Sequence, residues 1–192
     1  MEKFRNKYRI ESNRLRGWNY ANFGLYFITI VTANRMCVFG NVENGEMRFS
    51  QLGEIAYNEF LKSFEIRKEL QLGAFCLMPN HLHAIVGLEN RITETNVENE
   101  PLQQCESQPH GIAYRSPKSI SSFVAQYKSA VVSRYDDWVD VTNAGEKYNR
   151  ANPLWQSNYH DHIIRTQLEY NTIENYIYNN PLKWNDDKFF QL

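Results

Sequence analysis

The chain is short of several things that would each define a class of protein. No apolar run approaches the ~18 residues that a membrane-spanning helix needs, and the N-terminus carries no apolar secretory core. The expectation is a protein that neither crosses a membrane nor is secreted. Cysteine is scarce: Cys37, Cys76 and Cys105 share no metal-binding or redox spacing, and read as reduced thiols of a cytoplasmic protein. There is no excess of charge of one sign. The net charge of −1 removes a global basic signature for nucleic acid but leaves room for a local patch. No internal repeat is visible.

What is present fits one globular domain over residues 1–192: 42% of residues are hydrophobic and 22% charged, on a chain long enough to bury a core. The charge is segregated. The first 20 residues form a basic arm holding Lys3, Arg5, Lys7, Arg9, Arg14 and Arg16 against Glu2 and Glu11. Residues 89–117 are polar, acidic and Gln-rich, with Pro101, Pro109 and Pro117, and read as a peripheral loop or insertion.

Hydrophobic periodicity supplies the elements. Gly24 to Thr32 alternates and is rich in β-formers, so a strand inside the sheet is expected. Asn44-Gly45 signals a hairpin turn. Leu52, Ile55, Ala56, Phe60, Leu61 and Phe64 recur at helical spacing. Leu70 to Leu88 is the longest β-like run, and Pro79 breaks it into two strands. A second helix is expected over 118–135, followed by a polar connection from Asp136 to Asn152 and a short strand in "PLWQSNYHDHIIRT". The last helix is expected from Asn171, with Glu174 completing a capping box, to Asn180 before Pro181. This order suits an α+β sandwich with helices on one face of an antiparallel sheet.

One feature of "CLMPNHLHAIVGL" does not fit a purely structural strand. His81 and His83 are two residues apart, so on a strand both imidazoles leave the same face. Such a pair can chelate one divalent ion, or can be two ordinary polar residues at a strand end. In the last helix, Tyr176 and Asn180 are four residues apart and share a face, flanked by Ile173 and Ile177. If that helix packs over the histidine face, the site combines two imidazoles, an amide oxygen and a phenol. Those groups suit phosphodiester chemistry. His81, His83 and Asn180 would hold the ion, and Tyr176 would attack phosphorus. A free phenol has a pKa of about 10, so it needs a nearby cation at neutral pH.

Four blocks together resemble one family. "MPNHLHAIV" is similar to the His-hydrophobic-His (HUH) motif of the single-tyrosine transposases, and "YIYNNPLKW" to the helix that carries their nucleophilic tyrosine. "YFITIVTANRMCVFG" and "LWQSNYHDHIIR" are similar to further blocks in the same order, and the REP-associated tyrosine transposases resemble the chain most closely from Tyr8 to Asp187. The resemblance implies a ferredoxin-like antiparallel sheet with the HUH pair on a central strand. It implies Mg²⁺ or Mn²⁺, a hairpin-forming single-stranded DNA partner, a covalent 5′-phosphotyrosine intermediate, and a monomer or homodimer. By motif position His81 and His83 become ligands and Tyr176 the nucleophile. Asn180 stands where better-known members have a glutamine ligand, one methylene longer.

Other readings compete at each residue. Most of the 12 tyrosines must be packing residues, and Tyr127 is the main rival nucleophile. His160 and His162 form a second His-x-His, read as structural or DNA-contacting. Lys128 is a candidate phosphate contact with the basic arm, or an ordinary solvated lysine. Trp155 and Trp184 read as core before base-stacking. A histidine-triad hydrolase would need a third histidine where Ile85 stands. A non-catalytic DNA- or RNA-binding module of the same fold is the alternative function.

Overall fold

The computed structural model describes residues 3–4, 7–8, 23–89 and 117–190. In chain order the elements are β1 (Lys3–Phe4), β2 (Lys7–Tyr8), β3 (Gly24–Val31), β4 (Gly40–Glu43), β5 (Glu46–Phe49), α1 (Gln51–Ile66), β6 (Leu70–Met78), β7 (His81–Leu88), α2 (Ile120–Thr142), β8 (His160–Ile164) and α3 (Gln167–Asn179). A 3₁₀ segment, Pro181–Asp186, follows α3.

The main sheet runs β6-β7-β3-β8, with every neighbouring pair antiparallel. With α1 between β3 and β6, and α2 between β7 and β8, this is the βαββαβ ferredoxin-like arrangement. It places β7 second from one edge, covered on both faces, which is why all eight of its residues are buried. Pro79 and Asn80 form the two-residue turn between β6 and β7. Their carbonyls accept from Phe39 N at 3.0 Å and Thr32 N at 2.9 Å.

Alternation sorts the strand side chains into two cores. Tyr26, Ile28 and Ile30 of β3 and Leu82, Ala84 and Val86 of β7 join Phe60 of α1 and Phe123 and Tyr127 of α2 in the larger core. The opposite face buries Ala74, Ile85 and Ile164 against Ile177 of α3, with Phe27 and Ile173 packed at the margin. Beside them Val31 and Met78 pack on Trp184 and Phe189. The expectation of helices on one face is therefore corrected: α1 and α2 cover one face and α3 the other. Ile173 and Ile177 form an apolar stripe long enough for a second, smaller core.

Local chemistry explains the helix ends. Ser50 Oγ accepts from Gly53 N at 3.0 Å to start α1. A side chain at Gly53 would meet Phe39 O at 2.0 Å, so the close approach requires glycine. Ser119 and Ser122 form a reciprocal capping box at α2. Two expected boundaries move. α2 continues past Tyr135 to Thr142, where Asn143 enters the left-handed region at φ 52°. Part of the expected polar connection is thus its solvated last turns. α3 begins at Gln167, one turn before Asn171, because Thr166 Oγ1 accepts from Glu169 N at 3.2 Å and is the cap in use. The Asn44-Gly45 turn does close the β4–β5 hairpin, both residues having positive φ. The expectation for the insertion falls almost wholly on residues 90–116, which lie outside the described residues. Among the described residues, no helix is long and apolar enough to cross a membrane.

Candidate metal and tyrosine site

The sheet register builds the floor of the site. His81 lies between Val31 of β3 and Met78 of β6, and His83 between Thr29 and Cys76. Both imidazoles point to the α3 face and both are buried, His81 at 0% and His83 at 1% exposure. Buried polar groups need partners. His83 Nδ1 lies 2.8 Å from Thr29 Oγ1, and His81 Nδ1 lies 2.8 Å from Asn80 Oδ1. The two rings meet edge to face with centroids 4.5 Å apart.

α3 supplies the roof. Its apolar stripe seats Ile177, which brings Tyr176 over His83. The phenol oxygen lies 3.1 Å from His83 Nε2, and the rings are 5.2 Å apart. Tyr176 remains 40% exposed and lines an open cavity with Asn180 and Asp187. One turn on, Asn180 is buried at 2% exposure, held where α3 gives way to the Pro181 turn.

The C-terminal segment closes the site with a residue that the sequence reading did not single out. Asp187 accepts from Asn180 Nδ2 at 3.1 Å, from the Tyr176 hydroxyl at 3.4 Å and from Phe189 N at 2.6 Å. Ligand atoms of His81, His83 and Asp187 all lie within 4.8 Å of one another. The one available signal was a carboxylate following the tyrosine block in "KWNDDKFF". Nothing in its spacing points back to His81, because a 3₁₀ turn makes the connection.

These residues fit a divalent cation, and two atoms test the fit. His81 Nε2 and Asn180 Oδ1 are buried acceptors with no hydrogen-bond partner among the described residues. An imidazole lone pair, an amide oxygen, a carboxylate and a second imidazole form a donor set for a divalent cation. The electrostatics agree. Burial holds His81 down to about 4, with Lys188 acting in the same sense and Asp187 and Asn180 opposing it. Burial, then His81 and Lys188, hold His83 well below its ordinary value. Both imidazoles are therefore neutral at pH 7, as ligands must be. Burial and the Asp187 carboxylate push the Tyr176 phenol up to about 12, so without a cation it keeps its proton.

The buried histidines imply a pH dependence. An unfolded imidazole takes a proton below about 6.5, whereas His81 in the fold resists protonation until about 4. Between those values the unfolded chain binds more protons, so stability falls as pH falls. Urea unfolding of the metal-free protein should give a lower midpoint at about pH 5 than at about pH 7.5. In the His81→Gln, His83→Gln variant that difference should shrink; an equal pH dependence in the variant would show that other groups cause it.

The remaining candidates are placed elsewhere. Tyr127 is buried in the larger core, its hydroxyl donating to Ala56 O at 3.1 Å, and burial raises its pKa. It has no path to the histidine face. Lys128 Nζ donates to Gln156 O at 2.7 Å and Asn158 O at 3.0 Å, which ties down the segment before β8. His160 and His162 share the sheet face of His81 and His83, but β3 lies between the two pairs. His162 Nε2 pairs with Glu169 Oε1 at 2.5 Å, linking β8 to the first turn of α3. Trp155 and Trp184 are buried at 8% and 7% exposure. Lys7 lies in β2, whose backbone pairs with β1. Arg5, Arg9, Arg14 and Arg16 lie outside the described residues.

Fold and site together define a class: a ferredoxin-like domain with a His-hydrophobic-His pair on a central strand, facing a helix-borne tyrosine. No protein-family model matches the chain. Its fold is similar to that of a solved REP-associated tyrosine transposase bound to a REP hairpin. The TM-score is 0.53 at 17% identity, over 90% of this chain and 74% of that one. The chain is also 32% identical over 179 residues to an uncharacterized protein of Haemophilus influenzae, covering 93% of this chain and 92% of the relative. It belongs to the same family as that protein.

Proposed function

We propose that this protein is a metal-dependent single-stranded DNA transposase or endonuclease that cuts and rejoins DNA through a 5′-phosphotyrosine at Tyr176. The observation that carries this reading is the Tyr176 oxygen lying 3.1 Å from His83 Nε2, at the edge of the His81, His83 and Asp187 cluster. A partly exposed phenol beside a cluster that could hold a cation suits phosphoryl transfer to tyrosine. The fold shared with a transposase bound to hairpin DNA supports the choice of substrate.

In this reading His81, His83, Asp187 and the Asn180 oxygen would hold Mg²⁺ or Mn²⁺. The ion would withdraw charge from the scissile phosphate and stabilise the phenolate. Tyr176 loses its proton and its oxygen forms a bond to phosphorus. The bond from phosphorus to the 3′ oxygen breaks, and that oxygen leaves with the electron pair and takes a proton. The products are a 5′-phosphotyrosine and a free 3′-OH. Attack by a 3′-OH on the phosphotyrosine reverses the step and returns the phenol. Asp187 Oδ2, which accepts from the Tyr176 hydroxyl, is placed to hold the phenol's orientation before attack.

The test uses hairpin oligonucleotides from the gene's own flanking DNA, labelled at either end, with Mn²⁺. A denaturing gel should show the 3′-labelled fragment joined to protein and the 5′-labelled fragment released, and EDTA should abolish both. Binding of those hairpins with no adduct under any condition would favour the non-catalytic binding module.

The basic arm is assigned to the phosphates. Neutralising several of Lys3, Arg5, Lys7, Arg9, Arg14 and Arg16 should flatten the salt dependence of hairpin binding. Each lost phosphate contact should lower the log–log slope by about 0.7. An unaltered slope would remove the arm from the interface.

A further inference from the structure

The buried side chain of Asn80, in the turn before the histidine pair, has no part in the chemistry described above. Its Nδ2 donates to Arg35 O at 2.9 Å and to Phe189 O at 2.7 Å, and its Oδ1 lies 2.8 Å from His81 Nδ1. The amide cannot be turned over. Backbone carbonyls only accept, so the end that faces two of them must be the NH₂, and the end that faces His81 must be the oxygen. An amide oxygen also only accepts. His81 must therefore carry a proton on Nδ1, and in the neutral ring the lone pair is on Nε2. Nε2 is the buried atom with no hydrogen-bond partner among the described residues.

We infer that Asn80 is a positioning residue: it locks His81 in the Nδ1–H tautomer so that Nε2 presents its lone pair to a divalent cation. This rests on the metal site proposed above, but it needs neither DNA nor the cleavage reaction. The same amide holds the segment that brings Asp187 into place. Phe189 O accepts from Asn80 Nδ2, Phe189 N donates to Asp187 Oδ1, and the Phe189 ring lies 4.7 Å from the His81 ring. Asn80 thus sets one ligand's tautomer and, through Phe189, the position of another. A free imidazole has no such constraint and divides between its two tautomers.

Long-range ¹⁵N–¹H NMR of the metal-free protein near neutral pH reads the tautomer directly. The wild type should show His81 protonated at Nδ1; protonation at Nε2 alone would overturn the inference without any variant. In Asn80→Leu the His81 signals should move toward a tautomer mixture. Its Mn²⁺ affinity should fall by about 10- to 100-fold, the usual effect of losing an outer-shell partner. An unchanged tautomer with unchanged Mn²⁺ affinity would also overturn it. Asn80→Asp keeps an acceptor toward Nδ1 but cannot donate to Phe189 O. It should keep the tautomer, and it decides the question if Asn80→Leu does not fold. A shift of His81 to Nε2–H in Asn80→Asp would refute the lock. If the wild type shows the Nδ1–H tautomer but binds no Mn²⁺, the proposed metal site fails and the positioning of His81 stands apart from it.

Discussion

Tyr176→Phe should form no detectable adduct with hairpin DNA, a loss of at least about 10⁴-fold, because removing the nucleophile of a covalent mechanism leaves no alternative route. The fold should survive. The ring keeps its edge-to-face contact with Phe27 and its packing on His83, and only a partly exposed hydroxyl is lost. Mn²⁺ affinity should be unchanged or slightly higher. In the metal-free site the Tyr176 hydroxyl lies 3.1 Å from His83 Nε2, where a cation would sit, and phenylalanine removes that competitor. Hairpin affinity should stay within about threefold, since phosphate contacts dominate it. Denaturing gels for the adduct, and titrations of Mn²⁺ and of hairpin, check the three parts separately. An adduct in Tyr176→Phe that is absent from Tyr127→Phe would mean that the wrong tyrosine has been chosen. That outcome would also require the Tyr127 hydroxyl to leave a closed core.

The second large effect is expected from the ligands. The His81→Ala, His83→Ala variant should lose Mn²⁺ binding by at least about 100-fold, since both imidazole donors go and only Asp187 and Asn180 remain. Adduct formation should vanish with it, while hairpin binding through the arm persists. Calorimetric titration with Mn²⁺, on protein shown to be folded by circular dichroism, is the measurement. Unchanged affinity would sink the assignment of the site. Two single variants then sort the other donors. Asn180→Leu removes the orphaned amide oxygen, and Asp187→Asn removes a charge while keeping the shape. If Asp187 is a ligand, Asp187→Asn should weaken Mn²⁺ binding more than removal of the neutral Asn180 amide does.

Much of the site's chemistry was legible in the sequence because it is local. The strand period of two puts His81 and His83 on one face wherever that strand ends up. The helix period does the same for Tyr176 and Asn180, and Pro79 and Pro181 mark where each element must stop. These follow from backbone geometry over a few residues and need no knowledge of the neighbours.

The remainder depended on which distant segments meet. In sequence, Tyr176 stands apart from Tyr127 only by its spacing to Asn180 and by the block around it. The sheet adds their separation in space: it buries α2 against Tyr26, Ile28 and Ile30 and leaves α3 on the histidine face. Thr29, Asn80 and Asp187 are likewise ordinary residues in their own segments. Thr29 reaches His83 through strand pairing across 54 positions, and Asn80 reaches Phe189 across 109. Asp187 arrives only because Trp184 and Phe189 bury themselves against Val31 and Met78. The sequence by itself determined the pair of candidate ligands, the strand that bears them and the helix face that bears the phenol. The meeting of Asp187 with the histidines, the contact of Asn80 with His81 and the burial of Tyr127 away from them were decided by the tertiary structure. Apolar burial of remote segments brings those polar groups together, and burial has no local period to read.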